Sequence, residues 1–225
     1  MNLSEVETPA IMLTRKTDVQ EVRKSYGRVA WFYDIWSMFT ESRAAKKSLQ
    51  LADIRNGEIV LEVAVGTGLL FRKILALSPN GRNVGIDLTP AMLANAARRV
   101  SRHRTARSHL LLGNAASLPL GEGSFDLVLN HYMFDLLPQE NFATVLAEFR
   151  RVLKPSGRVV IVTMAHGEKQ VHRFWGWLAK RFPKLLAGCR PLALAPYLKQ
   201  AGFTNIEVVR VSQNTFPSEI LRADN

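Results

Sequence analysis

A glycine-rich turn after an apolar run contains the residue types in this chain that point most directly to chemistry. The run at 60–65 leads into Gly66-Thr67-Gly68, and a second apolar run ends at Asp87, about 20 residues later. Glycines at a strand-to-helix turn let the backbone approach a ligand that a Cβ would repel. An acid at the end of the second strand is placed to accept hydrogen bonds from ribose hydroxyls. The spacing predicts a βαβ unit that binds an adenosine-type cofactor.

Glu62 and Phe71 distinguish between two classes of cofactor. A dinucleotide site usually reads G-x-G-x-x-G, with a pyrophosphate on the helix N-terminus. Here Phe71 occupies the third glycine position and Glu62 precedes the turn. A carboxylate at that place repels a pyrophosphate and suits a cationic ligand, such as a sulfonium with an α-amino group. An NAD(P)-dependent oxidoreductase is therefore the less favoured alternative, and the chain also lacks a Tyr-x-x-x-Lys dyad.

Several further segments, taken in order and spacing, resemble one family. They are Y-G-R-V-A-W-F-Y-D at 26–34, E-V-A-V-G-T-G at 62–68, D-L-T-P-A-M-L at 87–93, G-N-A-A-S-L-P-L at 113–120, S-F-D-L-V at 124–128 and L-K-P-S-G-R at 153–158. Together they resemble the class I S-adenosylmethionine-dependent methyltransferases. The resemblance is greatest to the quinone-biosynthesis C-methyltransferases and the bacterial phospholipid N-methyltransferases.

The resemblance implies an α/β fold of the Rossmann-like, doubly wound type. Its sheet is mostly parallel with an antiparallel C-terminal hairpin, and helices lie on both faces. The implied cofactor is S-adenosylmethionine. The implied cofactor-binding residues are Tyr26, Tyr33, Glu62, Ala64, Gly66, Thr67, Gly68, Asp87, Leu88, Met92, Asn114, Ala115 and Asn130.

Two residues depart from the family pattern. Ala64 stands where the first glycine of the motif is usual, and we expect it to fit if the backbone there has ordinary extended geometry. Asn114 replaces an aspartate that receives a hydrogen bond from the adenine amino group. Its side-chain oxygen still accepts hydrogen bonds, so both departures affect the expected affinity rather than the class.

Candidate catalytic residues follow the fourth and fifth predicted strands. Methyl transfer depends mainly on aligning the reactants, although an oxygen, nitrogen or activated carbon acceptor can require removal of a proton. His131, Tyr132 and Asp135 follow the fourth strand, and His166 follows the fifth. A histidine with a pKa near neutral is a candidate base, whereas packing beside the site is the alternative role of His131. Asp135 is a candidate for holding a cationic amine.

Composition bounds the class of protein. The 225 residues are 47% hydrophobic and 22% charged, which excludes a disordered chain and fits one α/β domain over 1–225. The single cysteine, Cys189, forms no intrachain disulfide and fits a reducing compartment. No Cys/His cluster or carboxylate pair has metal-ligand spacing, so we expect no metal. Without an N-terminal signal or an apolar run of about 20 residues, we expect a cytoplasmic protein.

Basic residues concentrate in one segment. The net charge is +11, and residues 150–200 contain Glu168 as their only acid. Within the predicted insertion over the active site at 165–192, aromatic and aliphatic residues alternate with bases at 169–186. Such a segment suits contact with an anionic membrane at its inner surface, while an ordinary amphipathic helix is the alternative. A nucleic-acid partner is less favoured because no recognition module is present.

Apolar periodicity predicts the order of the elements. Strands are expected at 59–65, 83–87, 109–112, 125–131, 158–164, 204–211 and 218–223, and helices at 68–77, 90–101, 139–153 and 193–202. Two further helices at 18–52 form an N-terminal cap. Thr89 and Pro90 are expected at the start of the helix at 90–101.

The methyl acceptor stays open at this point. The resemblance and the basic segment favour a small apolar or amphiphilic acceptor: a quinone precursor, a phospholipid amine or a hydrophobic metabolite. The stretch at 130–133 reads N-H-Y-M and lacks the Asn-Pro-Pro-Tyr-like signature of many nucleic-acid and protein methyltransferases. An RNA methyltransferase, and a non-catalytic cofactor- or lipid-binding protein, are the remaining alternatives, and the oligomeric state is open.

Overall fold

Helices and strands alternate along the chain, as the periodicity predicts. The structure is a computed structural model that describes residues 42–101, 107–166 and 190–225. The helices are α1 (Ser42–Ala52), α2 (Leu69–Leu77), α3 (Pro90–Val100), α4 (Phe142–Val152) and α5 (Ala195–Gln200). The strands are β1 (Val60–Val63), β2 (Asn83–Asp87), β3 (Ser108–Leu112), β4 (Phe125–His131), β5 (Leu153–Met164), β6 (Thr204–Gln213) and β7 (Phe216–Asp224).

The strands form one seven-stranded sheet in the order β3-β2-β1-β4-β5-β7-β6. The first five are parallel, and β7 pairs antiparallel with both β5 and β6. This confirms the predicted doubly wound sheet with an antiparallel C-terminal hairpin. The strand order reverses between β1 and β4, and open α/β sheets bind ligands at the carboxyl ends of the strands at such a reversal.

Two hydrophobic clusters sandwich the sheet. On one face of the sheet, α1, α2 and α3 pack residues such as Ala44, Phe71 and Ala96 against the strand side chains that point to that face. On the other face, α4 and α5 pack Phe149 and Leu198 against the strand side chains that point the opposite way. We call these the α1–α3 face and the α4–α5 face. Among the described residues, no helix has the length and apolar character needed to cross a membrane.

The ends of two elements differ from the prediction because of local backbone conformation. Strand β1 ends at Val63 rather than at residue 65, because Ala64 has a left-handed φ of 60°. A 3₁₀ turn at Gln139–Asn141 precedes α4, which begins three residues later than predicted. Of the predicted N-terminal cap at 18–52, α1 is the part that lies within the described residues.

The predicted insertion at 165–192 begins and ends at the carboxyl end of β5. Leu192 donates its backbone N–H to the carbonyl of Met164 at 3.0 Å, and Ala165 and Leu192 form an isolated parallel bridge. Residues 167–189 lie outside the described part of the chain. Ala165 and Leu192 therefore lie side by side at the carboxyl end of β5, the edge at which sheets of this type bind ligands.

Candidate active site

The turn after β1 requires glycine at two positions. Gly66 and Gly68 have φ of 53° and 80°, a region that side chains disfavour. A Cβ on Gly68 would also lie 2.9 Å from the Cα of Ala96 in α3, whereas nothing lies within 4 Å of a Cβ built on Gly66. The loop is therefore tight against α3 at Gly68 and open above Gly66, where a ligand can approach the backbone.

Ala64 departs from the extended geometry expected for it. Its φ of 60° places it in the left-handed region, so the expectation of an ordinary conformation was wrong. The chain must turn sharply as soon as β1 ends, and the family's usual glycine makes that turn without strain. An alanine there costs about 1–2 kcal/mol.

Asp87 braces the glycine loop from the end of β2. Its carboxylate accepts hydrogen bonds from the backbone N–H of Gly66 and from that of Thr89, each at 2.8 Å. Burial raises the pKa of Asp87 while these hydrogen bonds lower it, and the net shift is upward. Each carboxylate oxygen accepts more than one hydrogen bond, so Asp87 retains capacity for the ribose hydroxyls that the sequence assigns to it.

Glu62 is a buried acid beside a second acid. Its side chain is 3% exposed, and Oε2 has no hydrogen-bond partner among the described residues. Burial, and then the negative charge of Asp87, raise the pKa of Glu62 well above its ordinary value. An acid in this state becomes favourable as an anion when a cation binds next to it.

The predicted adenine-side residues follow Asp87 and the end of β3 in the chain. Met92 is buried, Leu88 and Ala115 are half-buried, and Asn114 is exposed. The Asn114 side-chain oxygen accepts the backbone N–H of Ala116 at 3.0 Å and keeps a second lone pair.

Arg99 adds a contact that sequence reasoning missed. This residue of α3 donates to the carbonyl of Thr67 at 2.6 Å. Thr67 is itself buried. No local signal marks the pair, because the two residues are far apart in the sequence.

Asn130 joins the end of β4 to the end of β1. It is fully buried, and its Nδ2 donates to the carbonyl of Val63 at 2.9 Å. Val63 immediately precedes the strained Ala64. The Asn130 side chain therefore fixes the point at which the glycine loop begins, a role that adds to the backbone contact expected from the sequence.

His131 points toward α1 on the α1–α3 face. Its Nε2 lies 2.9 Å from the hydroxyl of Ser48, which also lies 2.9 Å from the carbonyl of Ala45. Ser48 has one hydroxyl hydrogen, so both contacts are satisfied together when His131 donates from Nε2 and keeps its lone pair on Nδ1. Burial, with a smaller effect from the positive charge of Lys73, lowers the pKa of His131 to about 3. The ring is therefore uncharged at neutral pH, which favours the packed and hydrogen-bonded role of His131 over that of a catalytic base.

The other candidate catalytic residues differ in accessibility. Tyr132 is buried with φ 54°, and its hydroxyl shares a hydrogen bond of 2.8 Å with Ser218 of β7. Asp135 is 1% exposed and accepts the backbone N–H of Met164 at 3.0 Å. His166 is exposed at the carboxyl end of β5, so it is the candidate that an acceptor can reach directly.

Some predicted features lie outside the described residues. These are Tyr26 and Tyr33 of the N-terminal segment, and the basic stretch at 169–186. Within the described ranges, no group of three His, Cys, Asp or Glu side chains is arranged to hold a metal ion.

The chemistry of the crevice fits a cationic adenosine-type ligand. The backbone at Gly66 is open and donates a hydrogen bond to Asp87. Glu62, whose Oε2 has no partner among the described residues, lies close enough for the charge of Asp87 to raise its pKa. A pyrophosphate would place further negative charge beside two acids. Fold and site together define a Rossmann-like protein built for a positively charged nucleoside cofactor.

Comparison with known proteins identifies the family. A family model described as "Methyltransferase domain" matches residues 60–157. The chain is 30% identical over 217 residues to a demethylmenaquinone methyltransferase of Tropheryma whipplei, covering 85% of this chain and 87% of the relative. It is 28% identical over 218 residues to a ubiquinone/menaquinone biosynthesis C-methyltransferase of Methylobacterium nodulans, covering 82% and 83%.

A solved structure shows the same fold with the cofactor bound. The phosphoethanolamine N-methyltransferase 2 of Haemonchus contortus in complex with S-adenosyl-L-methionine superposes with a TM-score of 0.64 at 19% identity, covering 82% of this chain and 52% of the other. The chain belongs to the S-adenosylmethionine-dependent methyltransferases, in the family that includes the demethylmenaquinone methyltransferases. As a member of this family it is an enzyme whose cofactor is S-adenosylmethionine.

Proposed function

We propose that this protein methylates a ring carbon of a reduced quinone precursor that carries a lipid tail. The observation that carries the proposal is the identity of 30% over 217 residues to a demethylmenaquinone methyltransferase. The C-methyltransferase name of a second relative over a similar length supports carbon as the acceptor atom. A reduced quinone ring is electron-rich, and ionisation of its hydroxyl makes the adjacent carbon a stronger nucleophile.

The chain's own residues supply binding and orientation. The cofactor, when bound, provides an electrophilic methyl group on a sulfonium. Glu62 would balance the cationic end of the cofactor, and Asp87 would hold both the ribose and the backbone of Gly66. Such positioning is the main requirement of methyl transfer, and it supplies about 7–11 kcal/mol in favourable model reactions.

The acceptor would enter at the carboxyl ends of β4 and β5. His166 is exposed there, directly after the Ala165–Leu192 bridge. We propose His166 as the residue that takes the hydroxyl proton of the acceptor. His131, which is uncharged and hydrogen-bonded to Ser48, and Asp135, which is bonded to Met164, would position the end of β4 instead.

A radiolabelled transfer assay tests the acceptor. Purified protein and S-[methyl-³H]adenosylmethionine are incubated separately with a chemically reduced short-chain demethylated naphthoquinone, phosphatidylethanolamine, arsenite and unmodified tRNA. Label in the naphthoquinone alone is the expected result. Label in another acceptor with none in the naphthoquinone contradicts the proposal.

Arsenite belongs in the panel because one relative is named an arsenite methyltransferase, at 28% identity over 165 residues. Arsenite is thiophilic, and soft centres of this kind select thiolate ligands. The chain has a single cysteine, so we expect no transfer to arsenite.

His166→Gln separates proton removal from binding. It should lower the rate of transfer by roughly 10²-fold or more, the scale of general-base catalysis, with little change in cofactor affinity. A rate within twofold of the parent would assign the proton to another group or to solvent. His109, an exposed histidine on the edge strand β3, gives a matched control in His109→Gln.

The segment at 169–186 is proposed as a contact with anionic lipid on the cytoplasmic side of the membrane. Its support is the alternation of bases with aromatic and aliphatic residues, which suits a headgroup region. Replacing Lys180, Arg181 and Lys184 by Gln should reduce co-sedimentation with anionic vesicles and leave cofactor binding unchanged. Equal sedimentation of both proteins would contradict it.

A further inference from the structure

The three helices of the α1–α3 face contain bases and no acids. They carry Arg43, Lys46, Lys47, Arg72, Lys73, Arg98 and Arg99, and their sequences include no Asp or Glu. Helices α4 and α5 on the opposite face together carry only three bases, Arg150, Arg151 and Lys199, and one acid, Glu148, which pairs with Arg151 at 2.6 Å. The positive charge of the described chain is therefore concentrated on one face of the sheet, independently of the segment at 169–186.

Within the described part of the chain, no carboxylate forms an ion pair with Lys46, Lys47 or Arg72 of this face. The ion pairs among the described residues include Arg158–Glu58 and Lys154–Asp126, which lie outside the three helices of the α1–α3 face. Lys46 and Arg72 are exposed, and Lys47 is half-buried. Their charges are available to an external anion.

These bases lie near the edge of the sheet where the crevice opens. Arg72 is in the first turn of α2, and its backbone N–H is bonded to Gly68 of the cofactor loop. Ser48, one residue after Lys47, contacts His131 at the carboxyl end of β4. Arg43 donates to the carbonyl of Ser212 at the tip of the β6–β7 hairpin. A surface that engages this face therefore also approaches the entrance to the site.

We propose that the α1–α3 face, through Lys46, Lys47 and Arg72, docks on an anionic lipid bilayer. The inference rests on the proposed function, because an acceptor with a lipid tail resides in a bilayer and must enter the crevice from it. Each Lys or Arg near an anionic surface contributes to binding, and the effect decays within a Debye length.

The exposed apolar residues favour lipid over nucleic acid. Among the described residues, the large hydrophobic side chains with the greatest exposure are Leu77, Leu112, Leu136 and Val208. All four are aliphatic, and Leu77 ends α2 on the basic face itself. Single-stranded nucleic acid is bound by stacking its bases on aromatic side chains, whereas an aliphatic side chain among bases suits the headgroup region of a membrane.

Vesicle co-sedimentation tests the surface without any acceptor. The full chain is mixed with vesicles of phosphatidylcholine alone, or with about 30% phosphatidylglycerol, at low salt and at about 0.5 M salt. The test variant carries Lys46→Gln, Lys47→Gln and Arg72→Gln. The matched control carries Arg55→Gln, Arg82→Gln and Lys199→Gln, which removes the same charge from exposed positions outside the three helices.

We expect binding to phosphatidylglycerol vesicles that salt abolishes. The partition coefficient should fall roughly five-fold for each charge lost in the test variant, and by less than twofold in the control. Equal losses in the two variants would show dependence on net charge alone and overturn the proposal, as would undiminished binding of the test variant.

Four further measurements separate the possible causes of a change in vesicle binding. Calorimetric titration with S-adenosylmethionine and far-ultraviolet circular dichroism verify that the test variant is folded. Submicromolar binding of tRNA by a protein that does not bind the vesicles would overturn the lipid proposal in favour of nucleic acid. Methylation of a water-soluble short-chain acceptor is measured separately, so loss of vesicle binding and failure of the proposed function are distinguishable.

Discussion

Glu62 and Asp87 place two carboxyl groups beside the glycine loop, and the two groups differ in their hydrogen bonding. Asp87 accepts two backbone hydrogen bonds, while Oε2 of Glu62 has none among the described residues. Burial and the charge of Asp87 keep the pKa of Glu62 raised. Its ionised form therefore opposes folding in the absence of cofactor and favours binding of a cation, so stability and affinity should respond in opposite directions when it is replaced.

Glu62→Gln should flatten the dependence of stability on pH. The folded pKa of Glu62 lies above its ordinary value of 4.5, so the folded state retains a proton that the unfolded chain has released. The stabilisation that the protonated Glu62 side chain gives to the folded state is complete at pH values below the ordinary pKa of 4.5. It is lost as the pH rises through the pKa of Glu62 in the folded protein. Urea unfolding across about pH 5 to 8 should show the parent losing stability relative to the variant by about 1–3 kcal/mol. A constant difference between the two proteins would contradict the raised pKa.

The same substitution should weaken cofactor binding. Loss of a charged partner costs about 1.5–3 kcal/mol, so S-adenosylmethionine affinity should fall by roughly tenfold to a hundredfold in calorimetric titration. Binding by the parent should also strengthen as pH rises through the pKa of Glu62, since the ionised form attracts the cation. Equal affinity of parent and variant at every pH would remove Glu62 from the site.

Ala64→Gly should stabilise the protein. The left-handed φ of Ala64 costs more than the extra freedom of a glycine in the unfolded chain, so we expect a gain of about 1 kcal/mol in the free energy of unfolding. The control Ala147→Gly, in the exposed middle of α4, should instead lower the free energy of unfolding by about 1 kcal/mol. A loss at both positions would contradict the strain assigned to Ala64.

At the scale of elements, Arg158 fastens α1 to the sheet. Its guanidinium pairs with both oxygens of Glu58 at 2.9 Å and donates to the carbonyls of Ala52 and Asp53 at the end of α1. The side chains of Arg158 and Glu58 are 12% and 16% exposed, so solvent screens the pair little. The helix that contacts His131 through Ser48 thus depends on an arginine at the opposite end of the sheet.

Arg158→Lys should destabilise the protein despite keeping the charge. A single ammonium group does not reproduce the paired geometry of a guanidinium, so the variant leaves partly buried acceptors without donors. We expect a loss of about 3 kcal/mol in urea unfolding. Lys154→Gln, which breaks the more exposed pair with Asp126, should cost less than about 1 kcal/mol. Similar losses at the two sites would contradict the role of burial at Arg158.

Local sequence patterns predicted the elements because each pattern matches one geometry. Apolar runs such as those of β2 and β4 are buried on both faces, and Pro90 lies in the first turn of α3 with Thr89 before it. Thr89 makes no side-chain cap, however, since its role is to donate its backbone N–H to Asp87. That contact depends on where two elements meet, which local patterns do not encode.

At the scale of the whole molecule, the sequence located the crevice but not the contacts that shape it. The glycine loop and Asp87 lie in one local unit, so their spacing predicted their position. The partners of Arg99, Asn130 and His131 are Thr67, Val63 and Ser48, each brought close by the order of strands in the sheet. The lowered pKa of His131 follows from that packing and could not be predicted from its neighbours in sequence.

The cofactor site is the central claim about the whole molecule, and calorimetric titration with S-adenosylmethionine, S-adenosylhomocysteine and NADH tests it most directly. The parent should bind the first two in the micromolar to submillimolar range and not bind NADH. Asp87→Ala should weaken both by about 1–3 kcal/mol. Binding of NADH alone, or unchanged binding of S-adenosylmethionine by Asp87→Ala, would contradict the site described at the glycine loop.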